Sequence, residues 1–188
     1  MGDAAADRMS SADPAAAAPN PVVALWHVIQ TLPRQEKALV RDLGAQRIEY
    51  YLPMRKHLRT YGRRKLASEL PLFPGYVFLR GSLDDAYTAD RSGRVARIIK
   101  VADQRQIQWE LDNLRRALDG GVSLDPYPWL KAGIRVVVTR GPMKGLEGLI
   151  EDKPRPDRLI LQVDILGRAV SMEISPDLLE PLERTDVG

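Results

Sequence analysis

Four groups of residues in this chain could in principle carry chemistry, and the spacing of each decides what it can do. His27 and His57 stand far apart, and neither belongs to an H-x-x-x-H or H-E-x-x-H pattern, so they do not form a metal-ligand pair. Gly141, Gly145 and Gly148 surround Lys144, but Gly145-Leu146 follows that lysine where a phosphate loop needs a Ser or Thr opening a helix. Those glycines read instead as permitting tight turns and close strand crossings. Glu151-Asp152 sits beside prolines at a strand end and reads as solvated. The fourth group is dense: Arg55, Lys56, Arg59, Arg63, Arg64 and Lys65 place six cations with no acid among them. No nucleophile stands near a base. The expectation is a protein that binds rather than catalyses, with no cofactor, no metal and no small-molecule substrate.

Composition narrows the class further. The 188 residues contain no cysteine, which excludes disulfide staples, thiolate catalysis and Cys-based metal sites and fits a reducing, cytoplasmic setting. Hydrophobic residues make up 44% and charged residues 28%, as in a globular protein with room for two domains. No apolar run approaches the ~20 residues that a membrane-spanning helix needs, and no membrane partner is expected. Residues 1–20 are Ala/Pro/Asp/Ser-rich and read as a disordered leader, not a secretory signal. The net charge of +3 is uneven: residues 21–119 hold 18 bases against 11 acids, while 131–188 hold 9 against 10. The positive field belongs to the middle region, as suits a region that approaches a polyanion.

The elements that must position these residues follow from periodicity. Ala24–Gln30 is β-prone; a helix is expected from Thr31, with Pro33 in its first turn, Ala38, Leu39 and Leu43 on its apolar face and Gly44 at its end. Ile48–Leu52 is a second strand. The cationic stretch turns at Tyr61-Gly62 and fits a β-hairpin arm or a mobile loop. Gly75–Leu79 is a third strand, a short helix covers Leu83–Arg91, and Val95–Val101 is a fourth strand. Ile107, Leu111, Leu114 and Leu118 form the stripe of a closing amphipathic helix. This order is the split βαβ plan, with helices expected over one sheet face.

Gly120–Leu130 reads as a linker. Beyond it, Ile134–Thr139, Leu146–Glu151, Arg158–Ile165 and Ala169–Ile174 alternate apolar and polar residues between turns at Gly141-Pro142, Pro154–Asp157 and Gly167. Strands this short and closely spaced suggest a small closed barrel over 131–188. Gly145, Gly148, Pro154 and Pro156 oppose any helical alternative for this segment, since a helix interior loses ~1 kcal/mol per glycine and ~3 per proline. The barrel is therefore expected to be permanent, loosely tethered and free to seek a partner.

Several stretches together resemble the NusG family of transcription elongation factors. They are Trp26–Gln30 with Glu36, then Leu72-Phe73-Pro74-Gly75-Tyr76-Val77-Phe78, then Gly93–Ile99. Gly133–Val138 with Gly141–Gly148 resembles a KOW motif, and Leu166–Ile174 its closing hairpin. The family includes specialised paralogues of the RfaH, LoaP and UpxY kind, and residues 126–131 and 163–170 resemble the UpxY-like ones. The resemblance implies an α+β chain: an N-terminal NGN-like, polymerase-binding domain over 21–119 and a C-terminal SH3-like KOW barrel.

It also implies partners. Phe73, Pro74, Tyr76 and Phe78, with Tyr51 on the neighbouring strand, would receive the clamp helices of RNA polymerase; Phe78 and Tyr76, two apart on one strand, fit a core role equally by spacing. The six cations from Arg55 to Lys65 would run near the DNA of the elongation complex, or else form a solvated loop. Asp85–Thr88 stands where RfaH-like members touch the polymerase gate loop, without their threonine run. Met143, expected to be exposed in its Gly-Pro turn, and Leu146, which by itself reads as barrel core, stand where the family meets Rho or a small-subunit ribosomal protein. The expected outcome is control of pausing, termination or antitermination. The alternative is an RNA-binding or ribosome-associated KOW protein, on the faint likeness of Gly75–Phe78 to an RRM strand.

Overall fold

A computed structural model describes residues 24–61, 64–128, 130, 133–151 and 157–182. The expected leader, Arg63, Trp129, Lys131 and residues 154–156 lie outside the described residues. Chain order in the first part is β1 (Leu25–Thr31), α1 (Glu36–Ala45), β2 (Glu49–Tyr51), β3 (Met54–Tyr61), β4 (Arg64–Pro71), β5 (Tyr76–Gly81), α2 (Leu83–Asp90), β6 (Val95–Lys100) and α3 (Gln104–Asp119). Strands β2-β5-β1-β6 form one antiparallel sheet in that order, and β3-β4 form a separate hairpin.

Period-two alternation gives this sheet two apolar faces. Ile29 pairs with Val77, and both pack with Leu79, Leu39 and Leu43 of α1, and Ala89 of α2. Val28 pairs with Phe78 on the opposite face, where Trp26, Leu111 and Leu114 join them. The sequence predicts helices over one face only. Both faces are covered, because β1 and β5 carry large apolar residues on each.

Helix α1 starts at Glu36 rather than Thr31. Thr31 continues β1, donating its N–H to the Gly75 carbonyl at 2.8 Å, and Arg34 takes a left-handed φ of 63° that no helix can include. It runs through Gly44 to Ala45. Helix α2 is held by a reciprocal box: the Asp85 N–H donates to Ser82 Oγ, and the Ser82 N–H to Asp85 Oδ2. Asp103 caps α3, its Oδ1 accepting from the N–H groups of Arg105 and Gln106.

The second part is all-β and of the SH3-like kind. It comprises β7 (Asp125–Tyr127), β8 (Ile134–Val138), β9 (Glu147–Ile150), β10 (Arg158–Val163), β11 (Arg168–Glu173) and β12 (Leu179–Pro181). Their order is β12-β8-β9-β10-β11-β7. Two of these strands go beyond the sequence reading. β7 takes residues read as linker and pairs Pro126 with Val170, an edge position where a missing N–H is tolerated. β12 pairs with β8. The three glycines serve as expected: Gly141 and Gly145 have φ of 81° and 82°, and a Cβ on Gly148 would lie 2.7 Å from the Ile160 carbonyl oxygen.

His27, on the α1/α2 face of β1, is only 6% exposed, and burial lowers its pKa so that it is held neutral. A folded-state pKa below that of the unfolded chain means that unfolding takes up a proton in acid. This contribution to stability is complete above pH ~6.5 and is lost as the pH falls below it. Urea midpoints at pH 7.5 and 5.5 should therefore converge for His27→Leu relative to the wild type. Equal pH dependence in both proteins would remove His27 from the acid response.

Candidate functional site

The turn Phe73-Pro74-Gly75 leads into β5 and is set by one carboxylate. Gly75, at φ 88°, donates its N–H to Glu36 Oε1 at 2.7 Å, and Tyr76 donates to the Phe73 carbonyl at 3.2 Å. Glu36 is itself buried at the first turn of α1. Helix and turn are thus fixed together, which orients the aromatic residues on either side of Gly75.

Those aromatics converge. Phe78 lies 6.4 Å from Phe73 in an edge-to-face contact and 6.4 Å from Tyr51. Phe73 and Phe78 are buried, Tyr51 and Tyr76 are half-buried, and Pro74 is exposed. Phe73 and Phe78 belong to one apolar cluster with Trp26, Leu111 and Leu114 of α3, and Val136, Met143, Leu146 and Val170 of the C-terminal part. Two guanidiniums lie against the aromatics, Arg115 of α3 at 4.6 Å from the Tyr51 ring and Arg168 of β11 at 5.8 Å from the Tyr76 ring. Burial pushes the Tyr51 hydroxyl up to about 12, and the Arg115 charge offsets only part of that.

Polar contacts accompany the shared cluster. Arg116 donates to the Gly145 carbonyl at 2.9 Å, and the Glu147 N–H donates to Asn113 Oδ1 at 3.2 Å. The Asp164 N–H donates to Glu110 Oε1 at 3.2 Å, and Arg135 lies 5.0 Å from the Trp109 ring. Met143, predicted to be exposed, is instead 7% exposed, because its turn tucks against the end of α3, where its tip meets Gly120; Leu146 is fully buried. In this structure the C-terminal sheet is seated on α3 rather than hanging free. Among the described residues, the segment from Ile134 to Ile174 is strand and turn with one 3-10 stretch at Asp164–Leu166.

The cationic stretch is a hairpin, with Arg55 opposite Leu70 and Tyr61 opposite Arg64. Register places positions 55, 59 and 64 on one face of the ribbon and 56 and 65 on the other. Lys37 Nζ donates to the Glu69 carbonyl at 2.8 Å and ties the ribbon to α1. Arg55 is half-buried and Lys56 exposed. On α2, Tyr87 is 50% exposed.

Against known proteins, residues 24–110 match the family model NusG, described as transcription termination factor nusG. Over that segment the chain is similar to the NusG family. A structure of domain interaction in Thermotoga maritima NusG is similar at 22% identity and a TM-score of 0.45, covering 85% of this chain and 98% of that one. The MjSpt4:Spt5 complex in conformation B is similar at 13% identity and a TM-score of 0.30, with the same coverage of 85% and 98%. No curated protein matches the sequence.

The structure brings the aromatics singled out in the sequence together, beside residues that the sequence reading did not name. Arg115, Glu110 and Asn113 lie on α3 beside its leucine stripe, and Arg168 lies across the chain on β11. A signal was present for α3: Glu110 and Asn113 flank Leu111 and Leu114 at helical spacing, which widens the stripe into a second buried face. For Arg168 there was none. Glu36→Ala removes the carboxylate from the Gly75 amide and is expected to cost about 2 kcal/mol, as for a hydrogen bond to a charged group. Urea denaturation measures the cost and hydrogen exchange at Gly75 localises it. Unchanged protection of that amide would show that the turn stands without Glu36.

Proposed function

We propose that this chain is a transcription elongation factor that engages RNA polymerase through the face built by Phe73, Tyr76, Phe78 and Tyr51, and so modulates pausing, termination or antitermination. The observation that carries this reading is the Phe73–Phe78 turn, braced by Glu36 inside the segment that matches the NusG family. Clustered aromatics bury much area with few rotatable bonds, which suits interface anchors. A bound factor shifts polymerase between paused and active states only by binding one better than the other, with no covalent step.

The seated C-terminal sheet bears directly on this reading. Phe73 is 2% exposed and shares its apolar cluster with Val136, Met143 and Leu146, so in this reading polymerase engages the face once the C-terminal sheet has moved off it. The same movement would free the Met143 turn for Rho or a small-subunit ribosomal protein. Residues 126–131 and 163–170 support a specialised paralogue working in the cytoplasm.

Tyr76→Ala should weaken binding to core polymerase by about 30-fold, corresponding to ~2 kcal/mol at an interface anchor. The substitution also removes the Arg168 contact, which by itself would favour opening, so a net loss in titration calorimetry reports the polymerase contact. Wild-type affinity in a folded variant would refute the assignment.

The hairpin supplies a second contact in this reading. By register, positions 55, 59 and 64 share one face of the ribbon and 56 and 65 the other, and a stretch of six cations without an acid suits sequence-independent attraction to the phosphates of DNA in the elongation complex. Replacing Arg59, Arg63 and Arg64 with Gln should lower the slope of log affinity against log salt by about one unit per lost phosphate contact. An unchanged slope would return the hairpin to a solvated role.

A further inference from the structure

The contact between α3 and the C-terminal sheet contains one acid that neither the aromatic face nor the hairpin uses. Glu110 is 3% exposed, although it lies on a helix whose outer residues face solvent. Its Oε1 accepts from Gln106 Nε2 on its own helix at 2.9 Å and from the Asp164 N–H at 3.2 Å. It lines a cavity of about 200 Å³ between α3 and the sheet, which connects the carboxyl to solvent. The opposite wall comes from Arg135 of β8, Glu147 of β9, Gln162 of β10 and Asp164.

We propose that Glu110 is a proton-operated latch: as the neutral acid it holds the C-terminal sheet on α3, and as the carboxylate it weakens that hold. The charges around it support this. Arg135, the cation lining the cavity, is directed to Glu147 at 3.5 Å and to the Trp109 ring, so it is shared between other groups. Asp164 from the sheet and Asp103 from the start of α3 are the acids that disfavour a charge here, and Glu147 faces the same cavity. Burial, with smaller help from the two aspartates, pushes the Glu110 carboxyl up to about 7, against the lowering effect of its two hydrogen bonds.

The direction follows by linkage. When the sheet leaves α3, Glu110 gains water and returns towards an ordinary glutamate near 4.3. Seating therefore takes up one proton between about pH 4.3 and 7. The equilibrium constant for seating falls about tenfold per pH unit across that window, several-hundred-fold in all, and levels off above it. Acid fastens the sheet; neutral and alkaline conditions loosen it. This inference concerns the contact itself and does not rest on the polymerase reading.

Because the chain has no cysteine, Arg91→Cys with Glu180→Cys gives a spin-label pair on exposed positions, one on each side of the contact. Distances in the full chain are followed from pH 5 to 8.5, with and without Glu110→Gln, alongside carbon NMR of labelled glutamate carboxyls. The substituted amide would keep an acceptor for the Asp164 N–H without a titrating charge. The expected result is a separated population that grows with pH in the parent, stays small with Glu110→Gln, and follows a Glu110 carboxyl titrating near neutrality. A distance that ignores pH in the parent overturns the latch, as does an identical pH response with Glu110→Gln. Should that variant not fold, the parent's Glu110 carboxyl decides alone: an ordinary midpoint near 4.3 refutes the proposal.

Discussion

Helix α3 is packed on two sides, and the rest of the molecule depends on that constraint. Its leucines close the open face of the four-stranded sheet, while Glu110, Asn113 and Arg116 reach the C-terminal sheet. A helix that buried only one stripe would leave two independent domains. Here one helix carries both contacts, so the apolar cluster runs without a break from Trp26 through Leu111 to Val136 and Leu161. Burial of apolar area supplies most of the attraction. The hydrogen bonds fix the register of the contact, since each buried polar group left unpaired would cost about 1–3 kcal/mol.

That arrangement seats the Met143 turn on the end of α3 and joins it to the same apolar cluster as Phe73 and Phe78. Packing of this kind avoids a large exposed apolar patch. A ligand that bound only with the sheet unseated would have its affinity reduced by the free energy of the seated contact. The mixed character of that contact suits a reversible association. Beside its apolar centre it relies on cation–π pairs, three hydrogen bonds and one buried carboxyl.

The hairpin β3–β4 stands outside this arrangement. Its two strands pair with each other and not with the four-stranded sheet. The sheet provides the scaffold, and the ribbon carries the charge.

Much of this was legible in the sequence. The apolar, β-prone runs Trp26–Ile29 and Tyr76–Leu79 determined two strands; the leucine spacing determined α3; and Gly141, Gly145 and Gly148 determined where the C-terminal chain turns and crosses. These are local effects of backbone sterics and period, and they need no knowledge of distant residues. Errors arose where a distant partner overrode the local preference. Thr31 reads as a helix start because Pro33 follows it, yet the Gly75 carbonyl keeps it in β1. Asp125–Tyr127 reads as linker because of its prolines, yet β11 recruits it as an edge strand. Met143 reads as exposed from its turn, yet α3 covers it. Nothing local sets Glu110 apart from the other acids of the chain, and burial in the folded contact is what alters its proton affinity. Local sequence determines which surfaces the chain possesses; tertiary packing alone decides which are covered, because burial depends on what arrives from elsewhere in the chain.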